Sequence, residues 1–136
     1  MDNNQEEKII EKIEVASESV DKKDVSKVIK KSDRILDKAK KLDLNIFSKL
    51  FNQIRLTIEM LKDYRAKSYS DIPWRTISLI TVALLYFWNP FDVIPDLLPV
   101  FGFTDDAIAF ASIFKAIQTD LQKYAEWKGY ETDKYF

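Results

Sequence analysis

The sequence predicts an all-α protein of about five helices. Only two of its 136 residues are glycine. Strict apolar–polar alternation is nearly absent, and apolar residues instead recur three or four apart along most of the chain. At this length one domain is expected. It divides into an amphipathic helical region over 1–67, a helical hairpin over 68–129 and a tail over 130–136.

The elements follow in order. Ile9, Ile13, Ala16 and Val20 share one helical face among glutamates and lysines. Asp21 suits the N-cap of the next helix, with Asp24 in its first turn, where a carboxylate complements the helix dipole. That helix carries a narrow apolar stripe of Val25, Val28, Ile29, Ser32, Ile35, Leu36, Ala39 and Leu42. Its other face is crowded with lysine, including Lys23, Lys27, Lys30, Lys31, Lys38 and Lys41. A break is expected over 43–45. The third helix shows the cleanest spacing of the chain, in Phe47, Leu50, Phe51, Ile54, Ile58 and Leu61, the stripe of a core-facing helix.

A polar connection follows over 68–72. Ser70 or Asp71 can cap the fourth helix, and Pro73 suits its first turn. From Thr76 to Phe91 no residue is charged and apolar groups cover nearly every face, so this helix is surrounded by protein or by lipid. Beyond residue 103, Thr104 is a good N-cap, with Asp105 and Asp106 at the positive end of the dipole. Ala107, Phe110, Ala111, Phe114, Ile117, Leu121 and Tyr124 form one face of the last long helix, Gly129 is its natural stop, and the tail is expected to be loose.

Composition excludes several functions. There is no cysteine, hence no disulfide, thiolate chemistry or cysteine-bound metal. There is no histidine, which removes the usual general base and the commonest zinc ligand. Any metal site would be built from oxygen, favouring magnesium, manganese or calcium. No glycine-rich phosphate loop or nucleophile elbow occurs, so an enzyme is not the favoured reading. Net charge is −1 but unevenly spread: −5 over 1–21, +8 over 22–67 and −4 over 68–136. The basic middle can attract anionic lipid, or it can face the acidic blocks or water. Nucleic acid is not favoured, because the lysine helix lacks aromatic interleaving or a recognition motif. The N-terminus has neither a basic n-region nor an apolar h-region, so residence on the cytoplasmic side is the default expectation.

The charge-free run over 76–91 would reach about 24 Å as a helix at about 1.5 Å per residue, against about 30 Å of bilayer hydrocarbon. Trp74 at one end and Tyr86, Phe87 and Trp88 at the other resemble interfacial anchors. The lysine face could lie on an anionic surface. These features favour membrane association, as a transmembrane, re-entrant or interfacial hairpin; the alternative is the buried central helix of a soluble bundle.

The most informative stretch is 89–106. It holds three of the four prolines, one of the two glycines and four aspartates, between apolar segments. Proline removes a backbone donor and clashes with the preceding turn, so one continuous helix is excluded and a rigid turn is expected. Tyr86, Pro90, Asp92, Ile94, Pro95, Asp96, Pro99, Gly102, Asp105 and Asp106 fall in the register Y-x-x-x-P-x-D-x-I-P-D-x-x-P-x-x-G-x-x-D-D. In this the sequence resembles the YkvA-like proteins of the domain-of-unknown-function 1232 family over about residues 73–118. One departure is Asn89, where the family often has serine. The resemblance implies a small helical protein, often predicted to be a membrane protein, and carries over no established activity.

The aspartates admit two readings. Locally, Asp92 and Asp96 cap short turns, Asp105 and Asp106 complement the helix dipole, or one of them pairs with Arg75, Lys115 or a basic residue of the third helix. Alternatively the four carboxylates, with turn carbonyls, hold a divalent cation. The leading functional expectation is a non-enzymatic, membrane-associated helical module that recruits or scaffolds a protein partner on a lipid surface. The alternatives are metal binding or metal-dependent activity at the aspartate turn, and a soluble helical interaction domain.

Overall fold

The computed structural model describes residues 11, 13–88 and 113–136, apart from the side chains of residues 44 and 46. Among the described residues five helices of eight or more residues are present and no strand, so the all-α expectation of about five helices holds. They are α1 (Lys22–Lys30), α2 (Ser32–Ala39), α3 (Leu44–Arg65), α4 (Trp74–Trp88) and α5 (Gln118–Lys128), with a short 3-10 turn at Thr132–Lys134. Helical residues also occur over 13–17 and 113–116.

Several starts and stops have a local cause. Asp21 caps α1 in a reciprocal capping box: its carboxylate accepts from the Asp24 N–H at 3.0 Å, and the Asp24 carboxylate accepts from the Asp21 N–H at 3.0 Å. The expected single helix over 22–42 is two, because the backbone departs from helical geometry at Lys31. Asp43 caps α3 by accepting from the Asn45 N–H at 3.1 Å, and α3 is kinked at Phe47, whose φ is −112°. Pro73 stands at the mouth of α4, its carbonyl accepting from the Ile77 N–H. Asp71 is engaged across the fold, paired with Lys123 at 3.1 Å.

α3 and α5 end in the same motif. At Gly129, with φ 79°, the Tyr130 N–H reaches the Ala125 carbonyl and the Gly129 N–H reaches that of Glu126. At the end of α3 the Ser68 N–H reaches Asp63 and the Lys67 N–H reaches Tyr64. Both are Schellman turns, which need one left-handed residue. Glycine supplies it at 129 without strain. At the other turn a lysine does, with φ 64°.

The core is organised around α4. Every residue from Thr76 to Phe87 is buried, and α1, α2 and α3 all pack against it. Of the two environments the sequence allowed, this helix has the protein one. Val25, Val28, Ile35 and Ala39 of the lysine-rich helices face inward, so the N-terminal region packs on α4 rather than projecting from it. After leaving α4 at Trp88, the chain is back beside its beginning by Asp120, whose carboxylate accepts from the Thr76 hydroxyl at 2.5 Å. Phe114, Ile117, Leu121 and Tyr124 are buried as their spacing predicts.

α3 differs from its expected single stripe. Leu50, Ile54, Ile58 and Leu61 are buried, but so are Leu56 and Met60 on the opposite side. That second face meets α5 and the tail. Asn52 donates to the Lys134 carbonyl at 3.0 Å, Gln53 donates to that of Tyr135, and the Tyr130 hydroxyl donates to Glu59 at 2.9 Å. The tail is therefore docked on α3, contrary to the loose tail expected.

Candidate functional site

Of the motif-turn residues, Tyr86 alone is described. It sits in the last turns of α4 with 1% of its surface exposed. Pro90, Asp92, Pro95, Asp96, Pro99, Gly102, Asp105 and Asp106 lie outside the described residues, and so does the expected four-aspartate cation site. Among the described residues no group of three or more carboxylates could hold a metal ion.

Two lysines stand against the last described residues of α4, Phe87 and Trp88. The Lys38 ammonium donates to the Phe87 carbonyl and lies 5.2 Å from the Phe87 ring centroid, while Lys31 lies 4.8 Å from that of Trp88. Two cations thus stand at the negative end of the α4 dipole. Both were expected on an outward basic face; both are half-buried and turned towards α4. Lys23, Lys27, Lys30 and Lys41 are exposed, as expected, and so is Lys22.

The exposed lysines of α1 border a shallow concavity of about 390 Å³, lined by Lys22, Lys23, Ser26, Lys27, Lys30 and Lys31. A second cavity, of about 500 Å³, shares Lys22 and Ser26 with it. Its other wall comes from the end of α3 and the connection to α4: Tyr64, Arg65, Lys67, Ser70 and Trp74, with Val25 behind. Among the described residues no acidic side chain lines either cavity. The acids adjoining these residues in sequence are engaged elsewhere: Asp21 and Asp24 on each other's backbone in the capping box, Asp63 with Lys128 and Asp71 with Lys123. Trp74 is 40% exposed, and its ring centroid lies 6.4 Å from that of Tyr64. The result is one continuous basic surface, from Lys30 to Lys67, with a partly open tryptophan at its edge. Sequence reading found the lysines and Trp74 separately. It missed Arg65 and Lys67, because nothing in the spacing shows that the end of α3 comes beside the start of α1.

A second cluster joins α3 to α5. Asp63 accepts from the Tyr124 hydroxyl and pairs with Lys128 at 3.2 Å. Tyr69 and Trp127 complete the packing, with ring centroids 5.1 Å from Tyr124 and 4.8 Å from Tyr69 respectively. Burial, then the hydrogen bond to Asp63, pushes the Tyr124 phenol well above its usual pKa. Burial also raises Tyr69, with the charge of Asp71 adding to it, and the hydrogen bond to Glu59 raises Tyr130. The hydrogen bond to Asp63 raises Lys128 in turn. These groups hold neutral phenols on charged partners, an arrangement that ties helices together.

It carries a pH dependence of definite sign. Above pH 10 the unfolded chain loses the Tyr124 proton while the folded chain keeps it, so the unfolded state binds fewer protons and stability falls as pH rises. The contribution is fully present below pH 10. Tyr124 is completely buried, and the expected loss is about 1.4 kcal/mol for each pH unit above 10. Urea unfolding at a series of alkaline pH values reads this slope. Tyr124→Phe should flatten it; an unchanged slope would remove the phenol from the account.

Residues 76–111 match the family described as protein of unknown function (DUF1232). The match takes in most of α4 and the proline–aspartate stretch. The chain is also 35% identical over 80 residues to a Bacillus subtilis (strain 168) protein named "uncharacterized membrane protein YkvA", an alignment covering 59% of this chain and 76% of that one. No solved structure matches. With a relative of that identity and coverage, and with ten motif residues in register from Tyr86 to Asp106, the chain belongs to the YkvA-like family of unknown function, DUF1232.

Proposed function

We propose that this protein is a non-enzymatic, membrane-associated helical module that lies on the anionic cytoplasmic face of a bilayer and presents a partner-binding surface there. The observation that carries the reading is the basic surface of α1 and the α3–α4 connection, lined by no acid among the described residues, with Trp74 open at its margin. Lysines attract anionic headgroups at about 1 kcal/mol each near the surface, and tryptophan prefers the headgroup level. The name of the Bacillus relative as a membrane protein supports the same reading. Among the described residues no helix is long and apolar enough to cross a membrane, and α4 spends its apolar surface on the protein core. The proposed mode is therefore attachment to the surface rather than a transmembrane hairpin of these helices.

The test is co-sedimentation of the full chain with vesicles. Binding to phosphatidylcholine mixed with phosphatidylglycerol, weak binding to phosphatidylcholine alone, and release by salt are expected, since exposed charges are screened. Equal indifference to both vesicle types at low salt would overturn the proposal.

A further inference from the structure

The two concavities are not equivalent. The one along α1 is a row of lysines on a single helix, which any anionic surface satisfies. The 500 Å³ cavity is built from three separate elements and has two kinds of wall. Lys22, Arg65 and Lys67 supply positive charge, Ser26 and Ser70 supply hydroxyl donors, and Tyr64 and Trp74 supply an aromatic side. A free phosphate would use only the first wall. A phospholipid uses both: its phosphodiester sits among cations and hydroxyls, while the glycerol and the start of the acyl chains lie on the aromatic rings. The volume lies within the range of small-molecule sites.

Lys67 adds an independent observation. It occupies the left-handed position of a Schellman turn, where glycine is the unstrained choice and a residue with a Cβ costs stability. That position sets its side chain on the cavity wall.

We propose that this cavity is a one-to-one headgroup site for an anionic phospholipid, with the phosphate held by Lys22, Arg65 and Lys67 and the lipid backbone against Tyr64 and Trp74. It rests on the membrane reading above and makes it more specific. α1 gathers the protein onto charged lipid without stoichiometry, and the cavity fixes one lipid and with it the orientation of α4.

The experiment uses the full chain and dihexanoyl phosphatidylglycerol below its micellar concentration, followed by calorimetry, with inorganic phosphate and the vesicles above as further arms. Saturable one-to-one binding of the soluble lipid is expected, with phosphate at least tenfold weaker. The double substitution Arg65→Gln with Lys67→Gly should weaken the lipid about 25-fold, at about fivefold for each charge removed. Because Lys67→Gly relieves a strained position, that single variant should melt at or above the wild-type temperature while binding less, which separates lost binding from lost folding. Lys27→Gln with Lys30→Gln should leave the soluble lipid bound as before. The inference is overturned if the soluble lipid fails to bind, if phosphate binds as tightly, or if cavity and α1 substitutions weaken it equally. Vesicle binding that survives any of these results leaves the membrane reading standing. Loss of vesicle binding by the wild-type chain removes both.

Discussion

Replacing Lys23, Lys27 and Lys30 together with glutamine lowers the partition onto phosphatidylglycerol-containing vesicles by about 150-fold and leaves the melting temperature unchanged. The magnitude follows from about 1 kcal/mol per lysine near an anionic surface, and tenfold in affinity for each 1.4 kcal/mol. The melting temperature holds because all three side chains are exposed on α1, and substitutions at such positions stay within about 0.5 kcal/mol. Lys31 and Lys38 are left out deliberately. Their ammonium groups stand against Trp88 and Phe87, so changing them would loosen the end of α4 as well as remove charge. Vesicle sedimentation at fixed low salt checks the prediction. A loss of less than about tenfold would move the anionic contact away from α1.

How much of this was legible in the sequence depends on which interactions are periodic. Val25, Val28, Ile35 and Ala39 announced their inward face by spacing, as did Phe114, Ile117, Leu121 and Tyr124. Asp21, Asp43 and Gly129 announced helix ends by residue type, since capping is local chemistry. The second face of α3 gave no such signal. Its residues are mostly polar, Asn52, Gln53, Glu59 and Asp63 beside Leu56 and Met60, and it is held to the C-terminal segment by hydrogen bonds to groups about 60 to 80 positions away. A hydrophobic pattern cannot report a face that packs through paired carboxylates and phenols. For the same reason the tail read as loose.

The candidate surface was legible only in part, and for a related reason. Lysines spaced along one helix read as a solvated or membrane-facing stripe, but Lys31 and Lys38 differ from Lys27 and Lys30 only by their neighbours in space. The end of α4 offers aromatic faces and the Phe87 carbonyl, which draw in the nearest cations. Conversely, nothing in the sequence singles out Arg65 and Lys67 until the cavity they share with Lys22 and Trp74 is seen.

The largest expected effect on folding comes from the middle of α4. Leu84→Asn should destabilise the protein by about 5 kcal/mol in detergent-free buffer, enough to abolish most of the stability of a domain of this size. Leu84 has no exposed surface, and α1, α2 and α3 pack against its helix. Truncating a buried leucine costs about 2–5 kcal/mol through lost burial and the cavity left behind. A buried amide without partners adds about 1–3 kcal/mol. Leu84→Ala carries the first cost without the second and should remain folded with a melting temperature lower by about 6–20 °C, which makes the series readable even where the asparagine variant does not fold. The comparison bears directly on the environment of this helix. The charge-free run over 76–91 was equally compatible with lipid on its outside, and a lipid-facing leucine, changed in aqueous buffer, would behave as a surface residue and cost under about 0.5 kcal/mol. Thermal melts of the two variants beside the wild type decide it. Loss of several kcal/mol means that α4 is enclosed by its own protein, so the membrane must be met by the basic surface outside it; a negligible loss would place Leu84 at the boundary and return the helix to the bilayer.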